Sequence, residues 1–244
     1  MNKTRKNNNK CKIFLATVST KQHPNLERWK KSAIIHGFNP TILGLHEKKT
    51  YKDPLIGKGE FGMKVRYLFD YSKKLKPNDI IFFTDAWDVI IIGDCEKIYK
   101  DYKSFKRDIV FGGETIYGAI YDLSNIFNIY KYDLSKAFPY LNAGVIIGKA
   151  GTLRELLKKY TEKDIADSLD DQILWRKIYL ENKDKIAIDS QAKIILNTCL
   201  TSKKNYVYED NIFTYKGTNT QPSIIHAQGN EAFGFKDYLK LIKY

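Results

Sequence analysis

The chain of 244 residues lacks any apolar run long enough to cross a bilayer. Its longest apolar runs, such as 80–83 and 89–92, are about four residues, whereas a spanning helix needs about 20. The apolar stretch near the N-terminus, 13–18, is also shorter than the core of a secretory signal, which has about 7–15 residues. We therefore expect no membrane span, and a protein that is made and works in the cytoplasm.

Cysteine is scarce as well. The three cysteines, Cys11, Cys95 and Cys199, are odd in number and far apart, and no Cys-x-x-Cys pair occurs. This spacing indicates neither a zinc ribbon nor a disulfide framework, and it fits a reducing compartment.

Arginine is the third scarcity, because only six of the 41 basic residues are arginine and the rest are lysine. The net charge of +13 would attract polyanions, so a basic nucleic-acid-binding module is the non-enzymatic alternative. Base and phosphate recognition favour arginine, however, so we expect no nucleic-acid partner. The abundance of lysine, asparagine and isoleucine is typical of an A+T-rich genome.

With 43% hydrophobic residues, the chain can bury a sizeable core. We predict a basic tail at 1–10 and a single α/β domain at 11–244. The first 90 residues alternate strand and helix, with strands at 12–18, 41–45 and 79–83 and helices at 26–36 and 63–71. Such alternation predicts parallel strands, with ligands at their carboxyl ends. Further strands are predicted at 108–111, 143–147, 185–188, 206–208, 212–215 and 224–226, and further helices at 153–160, 171–179 and 235–242.

Asp85 and Asp88 follow the third predicted strand directly. Two ionised carboxylates on one turn suit a divalent cation, and Trp87 between them offers a face for a base. Capping of a turn and core packing are the structural alternatives. His226 ends a short apolar strand and could complete the ligand set, while Gln228 and Gly229 could approach phosphates.

Two further motifs have competing explanations. Asp170 and Asp171 precede a predicted helix, where acidic residues commonly cap the N-terminus, but neighbouring carboxylates also suit acid–base chemistry. The glycine-rich segment 56–62 precedes Lys64 and Arg66 but departs from the G-x-x-x-x-G-K-[ST] pattern. It could still contact a diphosphate at the start of a helix.

Taken in order, these segments resemble the glycosyltransferase domain of the procollagen lysyl hydroxylases and related collagen hydroxylysine glycosyltransferases. The matching motifs are TVST at 17–20, KVRYL at 64–68, FTDAWDVI at 83–90, FGGE at 111–114, YLNAGVIIG at 140–148, DDQ at 170–172 and IHAQG at 225–229. The sequence departs from the family where the usual His-Gly-Asn-Gly is His-Ala-Gln-Gly, and where Tyr117 is nearest to an expected tryptophan.

The resemblance implies a GT-A fold, with a Rossmann-like mixed sheet flanked by helices, and a UDP-sugar donor with Mn²⁺. It implies metal ligands at Asp85, Asp88 and His226. It implies donor contacts from Thr17, Val18, Ser19, Lys64, Asp85, Trp87, Gln228 and Gly229. It places Asp170, Asp171, Asn142 and Glu114 in the catalytic cavity.

The implied activity is transfer of glucose from UDP-glucose to galactosyl-hydroxylysine of collagen or a collagen-like protein. The alternatives are transfer of galactose from UDP-galactose to hydroxylysine, and an inactive fold that only binds collagen. Since no oxygenase domain follows the matched segment, we expect no lysine hydroxylation. The composition suggests a giant virus or microbe as the source, and host cytoplasm if it is viral.

Overall fold

The computed structural model describes residues 13–47, 61–117, 128–160, 170–210 and 212–228. Four sequence predictions lie outside these residues: the basic tail at 1–10, most of the glycine-rich segment, Gly229, and the helix at 235–242.

The strands, numbered in chain order, mostly agree with the predicted ones. They are β1 Ile13–Val18, β2 Thr41–Leu43, β3 Ile80–Thr84, β4 Val89–Ile91, β5 Ile109–Glu114, β6 Tyr140–Lys149, β7 Ile186–Asp189, β8 Ile195–Asn197, β9 Tyr206–Glu209, β10 Ile212–Tyr215 and β11 Ile224–His226. The helices are α1 Pro24–Ile35, α2 Met63–Lys73, α3 Cys95–Ser104, α4 Ala150–Leu157 and α5 Asp171–Glu181. The sequence analysis did not predict β4, β8 or α3.

Within the described residues, a six-stranded sheet has the order β2-β1-β3-β6-β5-β7. β1 pairs in parallel with β2 and β3, as the alternating pattern predicts, whereas β6 is antiparallel to both β3 and β5. Side chains of β1 and β3 alternate between two cores, as the pleat of a strand requires. One core packs against α2, α4 and α5, and the other packs against α1 and α3. The prediction of a single mixed α/β domain is confirmed.

A smaller, three-stranded sheet has the order β4-β11-β8. β11 lies between β4, to which it is antiparallel, and β8, to which it is parallel. This pairing places His226 opposite Val89 on one side and Asn197 on the other. The end of the β11 strand is therefore held against the turn that follows β3.

One expectation about cysteine is corrected, because Cys95 is disulfide-bonded. Sequence spacing could not show this, since a disulfide depends on the approach of two Cα atoms in space. Cys199 is a free, buried thiol. No helix in the described part of the chain has the length and apolarity that a membrane crossing needs.

Candidate active site

The turn after β3 holds two carboxylates at the carboxyl edge of the main sheet. The backbone N–H of Asp85 donates to the Gly144 carbonyl of β6 at 2.7 Å. The Asp88 carbonyl accepts from the Ala227 N–H at 2.8 Å, which joins the turn to the chain after β11. Both ends of the turn are therefore fixed by neighbouring strands, and its carboxylates face the end of β11.

His226 brings an imidazole to these carboxylates. Its Nε2 lies 3.8 Å from Asp85 Oδ2 and 3.5 Å from Asp88 Oδ2. One ligand atom from each of the three residues lies within 4.8 Å of the others. His226 is 1% exposed, and its Nε2 has no hydrogen-bond partner among the described residues. Two carboxylates and a buried, unpartnered imidazole nitrogen fit a divalent cation.

Gly144 keeps the space around this cluster open. A Cβ at this position would lie 2.1 Å from His226 Cε1 and 2.9 Å from Asp85 Oδ2. β6 also changes register against β5 at this point, since Phe111 pairs with Ile146 but Gly112 pairs with Asn142. Such bulges often redirect chain next to active sites. Here the bulge brings a glycine against the imidazole.

The charge of His226 depends on opposing effects. Burial lowers the pKa of the imidazole. The Asp88 and Asp85 carboxylates raise it by a larger amount, so the pKa lies above its usual value. The two carboxylates therefore stabilise a positive charge at this position. The same two carboxylates would stabilise a divalent cation, which would bind the neutral form of the ring.

Lys64, on the first turn of α2, connects this cluster to a third carboxylate. Its Nζ lies 2.8 Å from Asp85 Oδ1 and 2.7 Å from Asp171 Oδ2. Burial lowers the pKa of Lys64, but these two carboxylates outweigh burial and raise it, so the ammonium stays charged. Burial raises the pKa of Asp171 to about 6, although Lys64 opposes the rise.

The two acidic residues at the start of α5 have different environments. Asp170 is exposed and caps the helix, because its Oδ1 accepts from the Ile173 N–H at 3.1 Å. Asp170 therefore makes the N-capping contact that the structural alternative predicts. Asp171 is 7% exposed and pairs with Lys64 instead. Only the second carboxylate reaches into the charged cluster.

Glu114 and Asn142 belong to a buried hydrogen-bond network. Glu114 Oε1 accepts from Arg176 Nη2 at 2.6 Å and from Gln172 Nε2 at 2.7 Å. Its Oε2 accepts from Asn142 Nδ2 at 3.0 Å. Burial raises the pKa of Glu114, while the Arg176 guanidinium and the Asn142 amide oppose the rise. Internal donors therefore occupy both oxygens of this carboxylate, and the Arg176 guanidinium carbon lies 4.3 Å from the Tyr117 ring centroid.

Asn142 also connects this network to the cluster of Asp85, Asp88 and His226. Its Oδ1 accepts from the Gly144 N–H at 2.9 Å, within the β6 bulge. The Ala143 N–H donates to Gln172 Oε1 at 2.6 Å. The side chains therefore satisfy backbone groups that the bulge removes from the sheet.

The predicted base-binding region lies at the end of β1. Thr17 Oγ1 donates to the Thr84 carbonyl at 2.7 Å, so this hydroxyl links β1 to β3. Ser19 Oγ donates to the Lys21 carbonyl at 2.7 Å and accepts from Trp87 Nε1 at 3.2 Å. Val18 packs in the core beside α2. The structure brings Ser19 and Trp87 together, and the two hydroxyls already have protein partners.

Trp87 is stacked within the protein. The ring of His23, the N-cap residue of α1, lies parallel to it with centroids 4.5 Å apart. The Lys21 Nζ lies 5.1 Å from the indole centroid. These contacts hold the indole beside the β1 end, where it is only partly buried.

Gln228 and Arg66 each lie beside a further acidic residue, Glu114 and Glu47 respectively. The Gln228 amide lies close enough to Glu114 to lower the pKa of that carboxyl, yet neither amide atom makes a hydrogen bond of standard geometry in the described chain. Arg66 Nη2 pairs with Glu47 Oε1 at 3.2 Å. Of the two basic residues after the glycine-rich segment, only Lys64 faces the carboxylates.

Comparison with known proteins identifies the family of this chain. A family model described as the PLOD GT domain matches residues 9–241. The chain belongs to this glycosyltransferase-domain family.

Curated relatives of this PLOD GT domain are much longer proteins. The "multifunctional procollagen lysine hydroxylase and glycosyltransferase" of Caenorhabditis elegans is 31% identical over 236 residues, covering 89% of this chain and 30% of the relative. The "procollagen-lysine,2-oxoglutarate 5-dioxygenase" of Drosophila melanogaster is 31% identical over 235 residues, covering 91% and 31%. The chain thus spans about 30% of the length of these relatives.

Solved structures show the fold of this PLOD GT domain. The galactosyltransferase LgtC, in complex with donor and acceptor sugar analogs, has a TM-score of 0.52 at 11% identity and covers 94% of each chain. Mouse xyloside xylosyltransferase 1, in its apo form, has a TM-score of 0.50 at 12% identity and covers 88% of this chain. The predicted GT-A fold is confirmed.

Sequence reasoning missed several residues that shape this site. Gly144 and Gln172 lie inside the matching motifs, but the sequence alone predicts no role for them or for Arg176. Asn197 was missed because its strand, β8, was not predicted. The available clue was its position as a polar residue directly after an apolar run at 194–196.

Proposed function

We propose that this PLOD GT domain transfers glucose from UDP-glucose to galactosyl-hydroxylysine of collagen or a collagen-like protein, with Mn²⁺ as the cation. The observation that carries the proposal is the convergence of Asp85, Asp88 and His226 on one point in a chain of this family. Transfer of galactose from UDP-galactose to hydroxylysine is the alternative, because the two donors differ only in the direction of one hydroxyl.

Asp85, Asp88 and His226 would hold the cation. When bound, a divalent cation neutralises the charge that develops on a diphosphate leaving group. The buried Nε2 of His226 supports this role, because it has no hydrogen-bond partner in the described part of the chain, and an unsatisfied buried nitrogen costs free energy unless something binds it.

Lys64 would add a fixed positive charge on the diphosphate side. Its ammonium is held by Asp85 and Asp171, so it is oriented before any donor arrives. A preorganised charge needs no rearrangement as the leaving group becomes more negative, which favours the transition state over the bound substrate.

Asp171 and Asp170 would serve the sugar side. A negative charge at Asp171 would stabilise the positive charge that develops at the anomeric carbon. Asp170 is exposed and therefore accessible to an acceptor hydroxyl. Because the pKa of Asp171 is raised to about 6, this carboxyl is close to the range in which proton exchange with an acceptor is efficient. Trp87 and Ser19 would contact the base, and Gln228 would offer its amide to the donor.

The acceptor class rests on the relatives. The printed name of the Caenorhabditis elegans relative joins procollagen lysine hydroxylation with glycosyl transfer. A domain that shares 31% of its residues with that protein is therefore proposed to use hydroxylysine-based acceptors.

The test is UDP release by the purified protein, with UDP-glucose or UDP-galactose and with Mn²⁺ or EDTA. Acceptors are peptides that carry hydroxylysine or galactosyl-hydroxylysine. We expect release from UDP-glucose that requires Mn²⁺, is stimulated by galactosyl-hydroxylysine, and falls at least about 100-fold in Asp88→Asn. The matched control is Asp70→Asn, which alters a half-buried carboxylate that pairs with Lys73 on α2.

The other outcomes are equally informative. A preference for UDP-galactose with bare hydroxylysine would establish the alternative donor and acceptor. Absence of both UDP release and UDP binding would overturn the enzymatic proposal. Tight nucleic-acid binding that falls steeply with salt and ignores Mn²⁺ would then favour the basic binding module.

A further inference from the structure

Asn197 and His226 face each other across two parallel strands. β8 ends at Asn197 and β11 ends at His226, and these two residues are register partners. Each is 1% exposed. The His226 Nδ1 lies 2.7 Å from Asn197 Oδ1, so the ring nitrogen that faces away from Asp85 and Asp88 has a side-chain partner.

A second contact determines which way the Asn197 amide points. Its Nδ2 lies 2.7 Å from the Gly113 carbonyl of β5. A carbonyl oxygen only accepts hydrogen bonds, so the amide atom that faces it must be the nitrogen. The Asn197 oxygen then necessarily faces His226, and an oxygen acceptor there requires a proton on Nδ1.

The tautomer of the imidazole follows from this orientation. A neutral ring with its proton on Nδ1 has its lone pair on Nε2. Nε2 is the atom that lies 3.8 Å from Asp85 Oδ2 and 3.5 Å from Asp88 Oδ2. The lone pair is thus directed into the carboxylate pair, as coordination of a cation requires.

The main sheet leaves room for this arrangement. A Cβ on Gly112 would lie 2.7 Å from Asn197 Nδ2 and 2.9 Å from Ile195 Cγ2. β5 therefore carries a glycine where the amide packs, as β6 carries Gly144 where the imidazole packs. Two neighbouring strands of the main sheet therefore make room for Asn197 and His226, one strand for each side chain.

We propose that Asn197 is a positioning residue for the cation site, which fixes the ring orientation and the Nδ1–H tautomer of His226. The inference rests on the proposed function, because it assumes that His226 binds the cation. It goes further by assigning cation affinity to a residue outside the ligand set. Partners of this kind typically change metal affinity by about 10–100-fold.

The test compares Mn²⁺ affinity in folded variants, measured from the electron paramagnetic resonance signal of free Mn²⁺. We expect Asn197→Ala to bind Mn²⁺ about 10–100-fold more weakly than wild type. Asn197→Asp keeps an acceptor for Nδ1–H and should bind more tightly than Asn197→Ala. The matched control is Asn182→Ala, which removes an amide that bonds the Ile178 carbonyl of α5, and it should bind like wild type.

Nitrogen NMR of the metal-free wild-type protein gives a second readout. At a pH where the ring is neutral, the His226 shifts should show a protonated Nδ1 and an unprotonated Nε2. A protonated Nε2, or wild-type Mn²⁺ affinity in Asn197→Ala, would overturn the inference. If wild type bound no Mn²⁺, the proposed cation site would fail, whereas the NMR measurement would still decide the tautomer. The NMR measurement uses wild type, so it would also test the proposal if Asn197→Ala did not fold.

Discussion

The Lys64 ammonium lies 2.7 Å from Asp171 Oδ2, and both side chains are largely withdrawn from solvent. The same ammonium lies 2.8 Å from Asp85 Oδ1. One cation on α2 therefore connects a proposed metal ligand after β3 with the first residue of α5. The two carboxylates come from elements far apart in the chain. The distance between Asp85 and Asp171 therefore depends on the ammonium that lies between them.

Replacement of the ammonium tests this connection. In Lys64→Met, Asp85 and Asp171 lose the cation between them, and we expect the free energy of unfolding to fall by about 3 kcal/mol. Urea unfolding measures this change. Adding Asp171→Asn should recover part of the loss, because it removes one of the two stranded charges. A Lys64→Met variant as stable as wild type would contradict the expectation.

The raised pKa of Asp171 predicts a pH dependence of stability. Its pKa is 3.8 in the reference state and about 6 in the folded protein, because burial outweighs Lys64. The folded state binds this proton more tightly, so the contribution to stability is complete below about pH 4 and is lost as the pH rises through about 6. Wild type should therefore lose stability relative to Asp171→Asn across this interval. Urea unfolding between these pH values measures the difference, and a difference independent of pH would refute it.

Gly144 provides a steric test of the proposed cation site at Asp85, Asp88 and His226. In Gly144→Ala, the new methyl group would meet the His226 ring at 2.1 Å, so the ring must move away from the carboxylates. We expect Mn²⁺ affinity, measured by calorimetry, to fall at least about 10-fold. Gly148→Ala is the matched control on the same strand, because its methyl group would contact Ile109 at 2.9 Å, outside the cluster. Equal affinities in the two variants would exclude the steric explanation.

Glu114 separates a supporting role from a catalytic one. In Glu114→Gln, the Arg176 guanidinium stays buried without its anionic partner, and we expect unfolding to become easier by about 3 kcal/mol. The folded fraction should keep most of its kcat, measured at low temperature, because protein donors already occupy both carboxylate oxygens. A large loss of kcat with unchanged stability would instead support the catalytic role that the resemblance implies.

Local sequence patterns determined the frame of this protein. Apolar runs followed by polar turns predicted β1, β2 and β3 and the helices between them, because period and turn chemistry are properties of neighbouring residues. The same logic predicted carboxylates at the end of β3 and an imidazole at the end of β11. The resemblance in ordered motifs then joined these ends into one proposed site.

Only the tertiary structure decided which polar groups meet. Asp170 and Asp171 are neighbours in sequence, but the helix start turns the first toward its own backbone and the second toward Lys64. Asn197 meets His226 because β8 and β11 are parallel partners, a pairing set by strands 29 residues apart. Hydrogen bonds and charges act over a few ångströms, whereas sequence separation carries no distance. The partners of each buried charge therefore became known only when the strands were packed.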